Sequence, residues 1–360
     1  MPNKIIHDNY TVELEEPTLY VDNKARGRSG HMTHAMAEFA PGCFIDFNSN
    51  NSAVRMGGHY PYGWVEYRIS KDGGKTYSDI KTLDYSYRCF LDGIHVISVE
   101  KAVATDDGTI VAICLRNNAM EQKFCEPWDT PTVIRSTDGG ETWSEPREFT
   151  PYPGRPYDAL YRDGVIYILH KCSEYFLGTT PEHIYRLYRS TDNGVTFEEV
   201  SVLPIDPIRR GYGSILFDGE GRLHAYAYNE GAEDYMDHAV SDDNGKTWTQ
   251  LPPCYVKYGI RNPQTAFIDG VYVLHGRGGN GANFVFYSSE DAANWDEGII
   301  FIGTEPDAAS CFYSNNLNLK DEKGNFLLVQ YSDLYGEWGK VDVWGQVNVM
   351  HLKLRIKRNS

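Results

Sequence analysis

One eight-residue phrase recurs along the chain, and it limits the possible folds more than any other feature. Ser70-Lys-Asp72-Gly-Gly74-Lys-Thr76-Tyr77 returns as Ser136-Thr-Asp138-Gly-Gly140-Glu-Thr142-Trp143, as Ser190-Thr-Asp192-Asn-Gly194-Val-Thr196-Phe197 and as Ser241-Asp-Asp243-Asn-Gly245-Lys-Thr247-Trp248. A worn copy follows at Ser288-Ser-Glu290-Asp-Ala292-Ala-Asn294-Trp295, so that successive copies begin 66, 54, 51 and 47 residues apart. A fixed period of this length marks a repeat architecture. The phrase S-x-D-x-G-x-T-W describes a capped hairpin turn. Asp and Ser/Thr side chains bond backbone groups across the turn, Gly supplies positive φ, and the aromatic residue anchors the turn on a sheet.

A second punctuation interleaves with the first. Turns fall at Pro41-Gly42, Asp107-Gly108, Asp163-Gly164, Asp218-Gly219, Asp269-Gly270 and Asp321 to Gly324, each between two short apolar runs. Each unit therefore reads strand, Asp-Gly turn, strand, loop, strand, Asp-box turn, strand, which is a four-stranded antiparallel module. Six such turns imply six modules, and six four-stranded modules repeated radially form an all-β propeller that closes its sheet edges in a ring. The last module has no Asp box and ends in residues 347–356. The run Tyr10–Val21 has no Asp-Gly turn of its own, so it is expected to supply the strand that closes the ring. The whole chain reads as a single propeller domain.

Composition excludes several function classes. Thirty-four Lys+Arg against 50 Asp+Glu leaves a net charge of −16, which argues against nucleic acid or an anionic membrane as the partner. A small anionic substrate needs only a local cluster of Arg or Lys. Twenty-six Tyr and 34 Gly suit a β protein with many tight turns. The N-terminal stretch has no apolar core of signal-peptide length, and the seven cysteines form no C-x-x-C pair. Reduced thiols in a cytoplasmic protein are the expectation, with secretion as the alternative if a leader has been removed. No metal or cofactor is expected, because the histidines lie in no H-x-x-x-H helix and have no Cys partner.

The Asp boxes and the six modules resemble the sialidase superfamily of six-bladed propellers, and the resemblance covers nearly the whole chain. The family implies a carbohydrate-active enzyme that removes a terminal, acidic sugar from a glycan. It also implies a site on the face away from the Asp boxes. There the inner strand of each module lines a channel, and counting eight residues back from each turn Gly gives His34, Glu100, Pro156, Gly211 and Asn262. His31, Asp158, Arg210, Tyr212, Arg261 and Gln264 lie on the same strand starts, while Asn48, Arg116, Lys171 and Arg277 follow the second strands. The Arg and Lys of this set are expected to make the mouth locally positive.

Within that frame Tyr313 is the sharpest candidate. Phe312-Tyr313-Ser314-Asn315-Asn316-Leu317 is similar to the last-blade segment in which a sialidase Tyr acts as nucleophile, activated by a Glu. Arg277 resembles a carboxylate-binding Arg, and converging Arg side chains would bind a carboxylate through charge-assisted bonds. Other positions depart from the family. Gly30-His31-Met32-Thr33-His34 stands where the first-blade Arg is expected, and Arg261-Asn262-Pro263-Gln264 has no acid to serve Tyr313. Residues 304–312 contain no Arg, and the loop 48–62 has Arg55 and His59 in place of the usual Asp. A base for Tyr313 must therefore come from another blade, with His34 and Glu100 as candidates. Two alternatives remain open. One is a propeller lyase or non-sialidase glycosidase using His31 and His34 with Tyr313. The other is a glycan-binding propeller without catalysis.

Overall fold

The computed structural model describes residues 3–52, 62–119, 128–174, 184–279, 283–304, 312–334 and 346–359. Six antiparallel sheets follow one another along the chain. Blades 2 to 5 each have four consecutive strands, as the repeat predicts. Blade 2 contains His95–Ala104, Ile110–Asn118, Thr132–Ser136 and Arg147–Glu148, and blade 5 contains Arg261–Ile268, Val271–Arg277, Phe284–Ser289 and Ile299–Ile302. The innermost strands touch in the cyclic order 1-2-3-4-5-6-1, so the sheets form a closed ring around a channel.

The seam lies where the sequence places it. Blade 6 takes Ser314–Asp321, Gly324–Ser332 and Val349–Arg358 from the C-terminal end of the chain. Its outer edge comes from the N-terminal end as three short strands: Tyr10–Leu14 pairs Tyr10 to Arg358 and Leu14 to Leu354, Thr18–Val21 pairs Val21 to Val349, and Lys4–Ile6 adds outside Tyr10–Leu14. One element was not anticipated. A helix, Asp84–Asp92, bridges blades 1 and 2 and ends on Gly93, whose φ of 70° provides a left-handed cap. Its periodicity is too short to stand out against the strands on either side.

The Asp boxes both cap their own turns and fasten adjacent blades. In the four intact boxes the Ser hydroxyl donates to Asp Oδ1 at 2.7 to 3.0 Å, and the Thr hydroxyl donates to Asp Oδ2 at 2.5 to 2.7 Å. The Thr76 hydroxyl and amide hold the Asp72 carboxyl down to about 2, and those of Thr142 do the same to Asp138. The second turn residue needs positive φ and no side chain. A Cβ on Gly140 would sit 3.0 Å from Ile45 in blade 1, and one on Gly194 would sit 2.8 Å from Val111 in blade 2. Each box therefore presses on the blade before it, and Trp248 donates its indole N–H to Ser201 across that boundary at 2.9 Å. The worn copy corrects the frame read from sequence. Asp291, not Glu290, is the capping carboxylate, bonded by Ser289 and Asn294, and Ala292 takes the positive φ at 61°. This box is one residue shorter than the others.

Candidate functional site

The channel-lining strands share a local irregularity that decides which side chains reach the mouth. In blade 2, Ile113 pairs with Lys101 and Cys114 with Val99, leaving Glu100 as the extra residue of a β-bulge. In blade 3 the extra residue is Tyr157. Blades 4 and 5 carry one extra residue at Gly211-Tyr212 and at Asn262-Pro263. A bulge turns its side chain away from the strand's alternation and aims it anew. Counting eight back therefore finds the bulge at Glu100, Gly211 and Asn262 but falls one short at Pro156, where the neighbouring Tyr157 holds the position, as Tyr212 holds the second place of the blade 4 bulge.

These bulges build an aromatic and cationic cluster around Tyr313, which is buried at 6% exposure. The Tyr313 hydroxyl lies 3.1 Å from that of Tyr212. The Arg277 guanidinium stands 4.2 Å above the Tyr313 ring, and the His31 ring meets it edge-on with centroids 4.8 Å apart. Arg277 also faces the Tyr212 ring at 5.5 Å. Arg155 stands 5.3 Å from both Tyr212 and Tyr157. Glu100 accepts from Arg155 Nε at 2.9 Å. His34, Asn262, Gln264, Tyr313 and Asn315 line one cavity with Glu100 and Arg155.

Beneath this cluster a polar belt closes the channel. Lys101 Nζ reaches Asp158 at 3.1 Å, Gln264 at 3.2 Å and Asn315 at 2.5 Å, joining the inner strands of blades 2, 3, 5 and 6. The other Asp158 oxygen accepts from the Ser214 hydroxyl and the Ile215 amide, both at 2.8 Å. Both Asp158 oxygens are thus bonded by groups of the channel-lining strands.

The remaining predicted residues fall into three groups. Neither proposed base bonds Tyr313, because Glu100 is held by Arg155 and His34 is hydrogen-bonded to Gln330 at 2.8 Å. Burial pushes the His34 imidazole down to about 4 and keeps it neutral. Gln330 passes on to Asp46, which pairs with His351 at 2.8 Å, so His34 ends a buried chain between blades 6 and 1. Arg116, Arg210 and Arg261 do not converge on Tyr313. Arg116 meets Glu148 on the outer strand of blade 2 at 3.0 Å, Arg210 pairs with Asp237, and Arg261 donates to Glu233 at 2.6 Å. Much of the positive charge foreseen at the mouth is thus matched by carboxylates. Lys171 is fully buried with its Nζ on the Arg210 carbonyl, and burial pushes its ammonium down to about 7. Asn48 is buried and donates to the Ser49 carbonyl at 3.2 Å. Arg55 and His59 lie outside the described residues.

The cluster brings together Tyr313, Arg277, His31 and Glu100 from the predicted set. Arg155 and Lys101 were missed, and Tyr212 was given no role. Each is adjacent to a position that counting from the turns did select, so the missing signal is the bulge.

Comparisons with known proteins agree with this fold. The BNR/Asp-box repeat model matches residues 134–145 and 239–250, which contain two of the four intact boxes. The chain is a six-bladed Asp-box propeller of the sialidase fold. A protein of unknown function from Dyadobacter fermentans superposes with a TM-score of 0.73 at 19% identity, covering 99% of this chain and 100% of that one. A Hadza microbial sialidase superposes at 0.67 with 13% identity, over 96% of this chain and 68% of the other. The Trypanosoma rangeli sialidase in complex with the inhibitor DANA superposes at 0.61 with 11% identity. There 91% of this chain covers 55% of the sialidase, so the propeller spans about half of that protein. No curated protein matches the sequence itself.

Proposed function

We propose that the chain is a carbohydrate-active enzyme that removes a terminal acidic sugar at the channel mouth, with Tyr313 meeting the anomeric carbon. One observation carries the reading: the Arg277 guanidinium stands 4.2 Å over the ring of the last-blade Tyr, with Tyr212 and Arg155 beside it. A cation held there serves two ends. It offers charge-assisted hydrogen bonds to a sugar carboxylate, and it stabilises negative charge as that charge develops on the phenol oxygen. In this scheme Tyr313 Oη bonds to the anomeric carbon as the glycosidic bond breaks, the phenol proton passing through solvent to the departing glycosidic oxygen, and a water molecule later releases the sugar and returns a proton to the tyrosine. The Glu100–Arg155 pair holds the second guanidinium against Tyr157 and Tyr212, where it completes the polar wall of the cavity.

A second reading, sugar binding without turnover, draws support from a different observation. Among the described residues, the group bonded to the Tyr313 hydroxyl is the phenol of Tyr212 and not a carboxylate. A phenol is a poor proton acceptor at neutral pH, so this pair alone does not activate a nucleophile. One structural neighbour, the Trypanosoma rangeli sialidase, is described as a covalent intermediate with 2,3-difluorosialic acid, which suggests the test. The wild-type chain and Tyr313→Phe would be incubated with 2,3-difluorosialic acid and with a panel of chromogenic sialosides and uronides. A covalent mass gain or turnover in the wild type that is lost in Tyr313→Phe supports the enzyme. Full activity in Tyr313→Phe overturns it, and saturable binding with neither turnover nor mass gain moves the second reading ahead.

A further inference from the structure

The seam between blades 6 and 1 differs from the other blade boundaries. Blade 6 has no Asp box, and the box aromatic that presses on it is Tyr77. A groove of about 190 Å³ opens there, lined by Tyr20, Tyr77, Arg68, Lys353, Glu16 and Thr18 among others. It is separate from the cavity around Tyr313, with which it shares no lining residue.

The groove contains the elements of a sugar-acid site. Arg68 stands 5.6 Å from the Tyr20 ring and 5.3 Å from the Tyr77 ring, a cation held by two aromatic faces. Its Nε donates to the Ser78 carbonyl at 2.8 Å, and it forms no ion pair among the described residues. The carboxylate opposite it across the strand pair, Asp46, is already held by His351 and Gln330. Lys353 adds a second cation, its Nζ 4.5 Å from the Phe326 ring and a distant 3.7 Å from Asp321. Thr18 and Glu16 form an exposed rim that offers a hydroxyl and an acceptor for sugar hydroxyls. Tyr20 is itself covered, by His351 stacked on its ring at 4.0 Å and by Arg68, so what the groove offers a ligand is a guanidinium for a carboxylate and a polar rim for hydroxyls.

We infer that this seam groove is a second binding site, for a carboxylate-bearing sugar unit, with Arg68, held in place by Tyr20 and Tyr77, gripping the carboxylate and the Thr18–Glu16 rim meeting the hydroxyls. The inference is independent of any chemistry at Tyr313.

The test uses the full chain with methyl-labelled leucines, following Leu19 and Leu328 in the groove by NMR. The probes are sodium glucuronate, methyl glucoside as the neutral control and sodium sulfate as the bare anion. Saturable shifts of both leucines with glucuronate, absent with methyl glucoside and weakened about tenfold or more in Arg68→Gln, support the site. Thr18→Trp, at an exposed rim position where folding is not at risk, should also obstruct glucuronate. The inference is overturned if glucuronate leaves both leucines unmoved. It is equally overturned if glucuronate and methyl glucoside act alike, or if the shifts persist in both variants. Sulfate acting as strongly as glucuronate overturns the sugar and leaves an adventitious ion only. Because the readout sits on the seam, Tyr313→Phe should leave it unchanged even if the mouth proves inactive.

Discussion

The two faces of the ring follow opposite rules. At the Asp-box rim the same residues recur, and the bonds that matter lie within six positions of each other, as between Ser136, Asp138 and Thr142. At the mouth nothing repeats. The bulge that occurs in blade after blade presents Glu100, Tyr157, Tyr212 and Asn262 in turn, and its contacts span long stretches of chain. Glu100 and Arg155 are 55 residues apart, Tyr212 and Tyr313 are 101 apart, and Lys101 and Asn315 are 214 apart. Repetition belongs to the face that builds the ring, because every blade must meet its neighbour in the same way. Variation belongs to the face where each blade contributes a different side chain to one shared cluster.

Four experiments would break or sharpen that division. The largest effect should come from Tyr313→Phe, which removes one hydroxyl from the mouth and keeps the ring that packs under Arg277. If the enzyme reading holds, turnover should fall about 100-fold or more while Tm stays nearly constant. A matching drop in Tm would make Tyr313 a member of the scaffold and blur the distinction between the faces.

Next in size is Arg277→Met. Affinity for a carboxylated sugar should fall by about 2 kcal/mol as a charge-assisted contact is lost, with the neutral analogue bound as before. Calorimetry with both ligands decides it, since equal losses would mean that Arg277 only supports Tyr313 and Tyr212.

On the rim, Asp138→Ala should cost about 1 kcal/mol or more of stability through its lost turn bonds, with turnover per folded molecule unchanged. Denaturant titration and specific activity measured together separate the two quantities. A collapse of specific activity in well-folded protein would contradict the division of labour.

The smallest effect is a pH dependence. The Asp138 carboxyl is held at about 2 in the folded chain by the Thr142 hydroxyl and amide, against about 3.9 for a free Asp. A depressed folded value means that the stabilisation is complete above about pH 4 and is lost as pH falls toward about 2. Asp72 behaves in the same way. The Tm difference between wild type and Asp138→Asn should therefore narrow across that window. A difference that is flat from pH 5 to the acid limit would show that the bonds are not carried by the ionised form.

How much could be read in advance follows the same division. The ring, the six modules and the N-terminal closing strand were all legible, because turn chemistry is written in consecutive residues. The worn box was read one residue out of frame, since Glu290 and Asp291 are chemically alike and only the bonds of Ser289 and Asn294 choose between them. At the mouth, Tyr313 and Arg277 were reached through their places after particular strands, whereas Arg116, Arg210 and Arg261 were placed on strand ends without knowledge of their partners. Glu148, Asp237 and Glu233 take those cations, and none of the three could be paired with its Arg from the sequence.

By itself, then, the sequence determined the architecture: an Asp, a Gly and a Thr at set spacing satisfy a turn locally, wherever the rest of the chain goes, and six four-stranded modules have one economical way to bury their edges. The tertiary structure alone decided the chemistry of the channel. It set the bulges that turn Tyr157 and Tyr212 inward. It tied Lys101 to Asp158, Gln264 and Asn315 across the channel, and it gave Tyr313 a phenol for a neighbour where a carboxylate was sought. Those outcomes depend on ring closure, which brings residues from every blade within a few ångströms of one axis, and no local pattern encodes which of them will meet there.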